Sequence, residues 1–487
     1  MRPSSAVLLA VAAACGGTSG PPSIPSAAID YVDGAVQPVL TRGTTIVIEG
    51  YGFGAVQGTG SVTFASGGTV GAPATIVDSG WSNFAVEVVV PDEAITGALV
   101  LTTDAGQRLE RTVNVVAAVG LDPAALAWQA RAGFPRAPVG VALAAAEFAS
   151  EAGIATTLFA AGGAEPVGGD SSFAPEVGVH VSQATAGGGL TAWVRQVESS
   201  DAAANRSLPA PRAFAAAVVA TRNNARLPLS TGVLYVIGGI DTAGRAQKTV
   251  FGADVTTTGV TSPFFSLEPL PFPVAGATAV VRRGSIYLIG GTDPAGQPLA
   301  SVLVARITPS GQLDGWYRQP TILHPRAYAG GAVLDQRALV LGGIEAAVAP
   351  GGGLDDLPPR LDDGDTNFVS RRSGFFVGAW GAAGTLLPQP RSQFAMLNVG
   401  TALLVVGGMY PGAATDDAET LAASYSGDSV GAFTGPVGIA TIHGQGGGTL
   451  VGPAGATWRE ANGTPHGVVL GGMDLATRLR RTGVWGF

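Results

Sequence analysis

Four of the arginines that follow a proline in this chain are Arg136, Arg212, Arg326 and Arg391, after Pro135, Pro211, Pro325 and Pro390. A guanidinium holds carboxylate or sulfate oxygens through two parallel N–H bonds, so arginines gathered in one place would make an anion site. His324 lies two residues before Arg326 and would share that place. The four histidines, His180, His324, His443 and His466, show neither H-x-H nor H-x-x-x-H spacing, so no metal cluster is expected. Asp363, Asp365 and Asn367 alternate like part of a calcium loop, but the distal glutamate is missing. They end a Gly/Pro-rich, then acidic, insertion from Glu345 to Phe368, which is expected to be a solvated surface loop. No Gly-rich stretch runs into Lys-Ser/Thr, so a phosphate-binding loop is not expected. The expected cofactor complement is none.

A repeat must position these residues. Leu234-Tyr235-Val236-Ile237 runs into Gly238-Gly239, and similar apolar runs precede Gly162-Gly163, Gly290-Gly291, Gly342-Gly343, Gly407-Gly408 and Gly471-Gly472. Such runs are too short for helices and suit buried strands, while paired glycines suit a positive φ or a close backbone approach. The doublets begin at 162, 238, 290, 342, 407 and 471, giving spacings of 76, 52, 52, 65 and 64. Arg326 and Arg391 each stand 16 residues before their glycine doublet, and Arg136 and Arg212 stand 26 before theirs. The third unit keeps Pro273 but has Val274 where the arginine would be. An aromatic precedes most units: Trp128, Trp193, Phe264-Phe265, Trp316, Trp380 and Phe433.

This order of tryptophan, Pro-Arg, two apolar strands and Gly-Gly resembles the kelch repeat of galactose-oxidase-like propellers, over about residues 124–487. The resemblance implies an all-β fold: a six-bladed kelch-type β-propeller, one blade per doublet. Fifteen residues follow Gly472, enough for one strand, so the segment from Ala125 to Gln129 is expected to supply the last blade's outer strand. In such blades the loop after Gly-Gly and the loop entering the next unit open on one face. The arginines then have two readings: they converge at the channel mouth to bind a ligand, or each is consumed inside the repeat to which it belongs. The copper chemistry of galactose oxidase is not implied, because it needs a tyrosine cross-linked to cysteine and the single cysteine is Cys15.

Residues 27–117 carry several short strand patterns: Thr45 to Gly54, Ser61 to Phe64, Phe84 to Pro91, Gly97 to Gly106 with its turn, and Arg111 to Val115. With Trp81 and the G-x-G-F-G turn, they resemble the IPT/TIG immunoglobulin-like domain and predict a small β-sandwich. Met1-Arg2 and the apolar run from Ala6 to Ala14 read as an export signal (residues 1–15), and Cys15 resembles the lipidated cysteine of a bacterial lipobox. Ala12-Ala13-Ala14 also fits ordinary cleavage after Ala14. Residues 16–26, rich in Gly, Ser and Pro, read as a flexible tether.

A net charge of −8 with dispersed basic residues argues against nucleic acid. The expectation is a non-catalytic binding or scaffold lipoprotein of the bacterial cell envelope. Its partner would be an envelope protein or glycan, and it would touch the membrane through its lipid anchor alone. The alternative is a carbohydrate-active propeller, an isomerase or mutarotase that grips an acidic sugar with the arginines.

Overall fold

The apolar runs before the glycine doublets are strands buried on both faces. Thr231–Ile237, Ser285–Ile289, Ala402–Val406 and Pro465–Leu470 are buried at every residue, as continuous apolar strands between two layers must be. The computed structural model of the protein describes residues 27–36, 38–136, 138–150, 153–166, 173–222, 231–347, 360–410, 420–426, 429–435, 450–474 and 482–487. Cys15, the tether over 16–26, His443 and the insertion over 348–359 lie outside the described residues.

Each buried strand pairs with the strand before it and the strand after it in an antiparallel sheet. Beyond residue 124 the described residues form six sheets of four or five strands around a common centre. Their first strands are Ala142–Ser150, Ala216–Arg222, Thr278–Arg282, Gly330–Leu334, Ala395–Val399 and Ala454–Arg459. These lie side by side in that order, and the last packs against the first. An apolar core fills each space between neighbouring sheets. In one of them Tyr235 and Ile237 meet Ile286, Leu288 and Leu303 of the next sheet. Each buried Leu, Ile or Val contributes about 1.5–3 kcal/mol, so the ring is held by what neighbouring sheets bury against each other. The arrangement is consistent with a β-propeller.

The first and last strands of the ring meet in one sheet. Gln129–Ala130 pairs with Val484–Gly486, which pairs with Pro465–Leu470. The joining strand therefore falls at the edge of the segment expected for it, and Pro123–Ala125 is a turn of 3-10 helix instead.

The glycine doublets mark close contacts between neighbouring sheets. Gly342 has φ +63°, and a Cβ there would sit 2.5 Å from the carbonyl oxygen of Arg391 in the next unit. The N–H of Gly343 donates to that same carbonyl at 2.8 Å. Gly342→Ala should lower stability by about 2–3 kcal/mol, combining left-handed strain with a displaced neighbour. Chemical denaturation of the variant measures this, and unchanged stability would mean that the approach is not tight.

The residues before 117 form two further sheets. One runs in the order Ala28–Val32, Thr45–Tyr51, Ala85–Val89, Thr75–Trp81. The other runs Val39–Thr41, Arg108–Val116, Ala94–Thr102, Ser61–Ser66, Ala72–Pro73. They share one core that includes Ile46, Ile48, Phe64, Leu99 and Leu101. The Trp81 indole N–H donates to the carbonyl of Phe53, which ties the Gly-aromatic turn to this core.

Candidate functional site

Each first strand runs between the two faces of the ring. At its start lies the entry loop, beside the glycine doublet. At its end lies the turn into the second strand, such as 283–284 or 335–336. Five residues of strand separate these faces by about 16 Å.

On the entry face, Gly140, Phe214, Gly276, Tyr328, Gln393 and Gly452 occupy equivalent positions around the axis. All six have positive φ. Five backbone hydrogen bonds of 2.8–3.0 Å string them together, from the N–H of Phe214 to the carbonyl of Gly140 and onward to Gly452. The glycines give the aromatics room. A Cβ on Gly140 would lie 2.6 Å from the Phe214 ring, and one on Gly276 would lie 2.6 Å from the Tyr328 ring. Phe214 and Tyr328 meet edge-to-face with centroids 5.6 Å apart. Beneath them lies an axial cavity of about 250 Å³, walled mostly by Gly and Ala at the starts of the first strands. Burial pushes the Tyr328 phenol pKa upward. Tyr328 carries the only titratable side chain among the lining residues.

The arginines that the sequence singles out are not in this wall. Arg326 and Arg391 are fully buried and Arg212 nearly so. Arg326 donates through Nη1 to the carbonyl of Gly342 at 3.0 Å, and Arg391 donates in the same way to Gly407 at 2.8 Å. The main-chain carbonyl of each arginine accepts from the preceding unit's second glycine, Gly291 for Arg326 and Gly343 for Arg391. One residue thus joins two glycine doublets, which accounts for the spacing of 16. Arg391 also lies 4.0 Å from the centre of the Tyr410 ring. Arg212 donates to Thr249 Oγ1 at 2.6 Å and stacks on Phe251, and burial lowers its pKa. Arg136 is out of phase: the carbonyl in the equivalent slot belongs to Pro138, and Arg136 pairs with Glu176 at the surface. The geometry therefore does not gather four guanidiniums at an open mouth.

No protein-family model matches this chain, and no curated protein matches it. Among solved structures, one described as the structure of YjhT is similar over 72% of this chain and 95% of its own length. The two are 13% identical, with a TM-score of 0.46.

His324 is the predicted site residue that does reach solvent, at 46% side-chain exposure. Its Nδ1 lies 3.5 Å from Asp363 Oδ2 and 3.7 Å from Asp365 Oδ1. Asp363 and Asp365 belong to the strand Asp363–Val369 and not to a surface loop. Strand alternation puts Asp363, Asp365 and Asn367 on one side. Asn367 is turned to its own strand pair and donates to the carbonyl of Gly378, so the three do not form a calcium loop. The other described histidines are buried elsewhere: His180 lies against Phe134, and His466 lies between Trp458 and the carbonyl of Phe487.

The sequence also conceals a pair of matching loops on this face. Asp241 Oδ1 accepts from the N–H groups of Ala243 and Arg245, and Asp293 Oδ1 accepts from those of Ala295 and Gln297. The shared D-x-A-G pattern was legible but has no apolar period to announce it.

The opposite face is occupied. Asp33 of the two-sheet domain accepts from Arg283 Nε at 2.5 Å, and Arg283 Nη2 reaches the Thr45 carbonyl and Asp335. Glu87 pairs with Arg371 and Arg372. Thr41 accepts from Arg459. Gly34 sits directly on the 283–284 turn.

Glu49 lies behind this seam. Desolvation, with help from the Asp33 charge, pushes its pKa from 4.5 up to about 7. Between those values the folded chain holds a proton that the unfolded chain releases. Stability should therefore fall as pH rises from about 4.5 to about 7 and level off above. Thermal melts across that range should slope downward for the native protein and lose that contribution in Glu49→Gln.

Proposed function

We propose that the ring is a six-bladed kelch-type propeller carrying an IPT/TIG-like immunoglobulin sandwich. The chain is then an exported, lipid-anchored protein that binds an envelope protein or glycan without transforming it. The observation that carries this reading is the seam. The domain that follows the tether packs on the 283–284 and 335–336 turns, so the entry face is left to the solvent. A propeller capped on one face and tethered through its cap presents its other face outward, and loops on a rigid scaffold suit binding. The acidic-sugar reading draws less support: the cations it needs are inside the fold or out of phase, and the axial wall holds none.

The test is affinity capture from envelope extract with the full chain and with Ala243→Trp/Ala295→Trp, whose loop tips are exposed on the entry face. The expected result is one captured protein or glycan that the double variant loses at unchanged thermal stability. Capture that is indifferent to these tips, or turnover of a uronic or sialic acid by the purified chain, would overturn the reading.

A further inference from the structure

We infer that His324, Asp363 and Asp365 form a binding site for a divalent transition-metal ion of the zinc class on the entry face. Asp365 is fully buried, yet its Oδ1 has no hydrogen-bond partner among the described residues. A buried carboxylate oxygen left without a donor is uncommon and calls for a cause. His324 Nδ1 lies 3.7 Å from that oxygen, and the same nitrogen lies 3.5 Å from Asp363 Oδ2. Both separations are too long for hydrogen bonds. They are close to the separation of two donors on one ion, since tetrahedral ligands at about 2.0–2.2 Å from a metal stand about 3.3–3.6 Å apart. The three donor atoms all lie within 4.8 Å of one another.

Arg326 makes the arrangement one-sided. Its Nη2 donates to Asp363 Oδ1 at 2.8 Å, and its Nε donates to Asp365 Oδ2 at 3.3 Å. The N–H groups of Leu323 and His324 complete Asp365 Oδ2. One oxygen of each carboxylate is thus fixed by the fold, and the other is turned toward His324. Such outer hydrogen bonds are how metal-ligating carboxylates are held in place. Two carboxylates against one guanidinium leave a net negative site, which favours a cation there. An imidazole nitrogen among the donors selects zinc, cobalt or nickel over magnesium and calcium. The exposed edge of His324 leaves the remaining coordination positions facing solution.

The test is titration of the chelator-treated full chain with cobalt(II), followed by visible absorption, and with zinc in competition against a chromophoric chelator. The expected result is one equivalent bound, with magnesium failing to compete. His324→Ala and Asp365→Asn should each weaken zinc binding more than about tenfold. Glu198→Gln, on an exposed pair with Arg195 well away in sequence, should bind as the native chain does. Asp365 is buried, so its variant can lose its fold. His324 is half exposed, and its variant decides the matter at unchanged melting temperature. No cobalt absorption with the native chain, or equal zinc affinity in native and His324→Ala proteins, would overturn the inference.

Discussion

Replacing Arg326 with methionine should cost the protein about 3–5 kcal/mol, which lowers the melting temperature of a domain this size by roughly 5–10 °C. Arg326 has no exposed surface, and its partner Asp365 has none either. Removing the guanidinium strands a buried carboxylate, takes both hydrogen bonds from the carbonyls of Gly342 and Asp363, and frees Asp363 Oδ1. The attraction between two buried charges is largely offset by their desolvation, so the loss comes mainly from leaving one of them alone. Adding Asp365→Asn to Arg326→Met should therefore restore part of the stability, a coupling that a double-mutant cycle reads directly. A chain that keeps its stability but loses its ligand would mean the guanidinium serves binding and not the fold.

The second large effect is expected at the seam. Arg283 is almost wholly buried between Asp33, the Thr45 carbonyl and Asp335. It ties the two-sheet domain to the 283–284 and 335–336 turns of the ring. Arg283→Ala should again cost about 3–5 kcal/mol, because Asp33 then faces the raised-pKa carboxyl of Glu49 with one cation fewer. Calorimetry should show the single transition split, with the two-sheet domain melting first, and protease should cut the linker near 117–123 sooner. One unsplit transition at the native temperature would show that the other contacts, such as Glu87 with Arg372, suffice.

The fold was legible where apolar runs are long and end in paired glycines. The second strands fall where Leu234–Ile237, Ile286–Ile289 and Leu403–Val406 put them, because burial on both faces leaves a continuous apolar signature. Outer strands were harder: Gly259–Val260 and Phe265–Ser266 are two residues each and carry no period. In the first domain, Thr75–Trp81 escaped notice because Asp78, Ser79 and Gly80 interrupt it, with Ser79 at positive φ.

The site was legible in composition, and the sequence left the direction of the arginines open between the channel mouth and the interior of the repeat. The repeat announced the arginines, but whether a guanidinium points to the axis or into the sheet depends on one rotation about the entry loop. The distance of 16 residues that Arg326 and Arg391 share to their glycine doublets was the available clue, since it equals the span from donor to Gly342 or Gly407 carbonyl. Phe214, Tyr328 and Gln393, two residues beyond each arginine, are the side chains that do line the axis. Their varied chemistry hid a shared backbone conformation. Asp363 and Asp365 looked like loop acids because a Gly/Pro-rich stretch precedes them, and the strand they begin became visible only through its pairing with Arg337–Leu341.

The most direct test of the account is photo-crosslinking in the producing cell, with benzoylphenylalanine placed at Ala243, at Ala295 or at Ser310. The first two are exposed on the entry face, and Ser310 is exposed in a turn on the capped side. The account predicts one common adduct from positions 243 and 295 and none from 310. An adduct from Ser310 alone would place the partner on the capped side and contradict it.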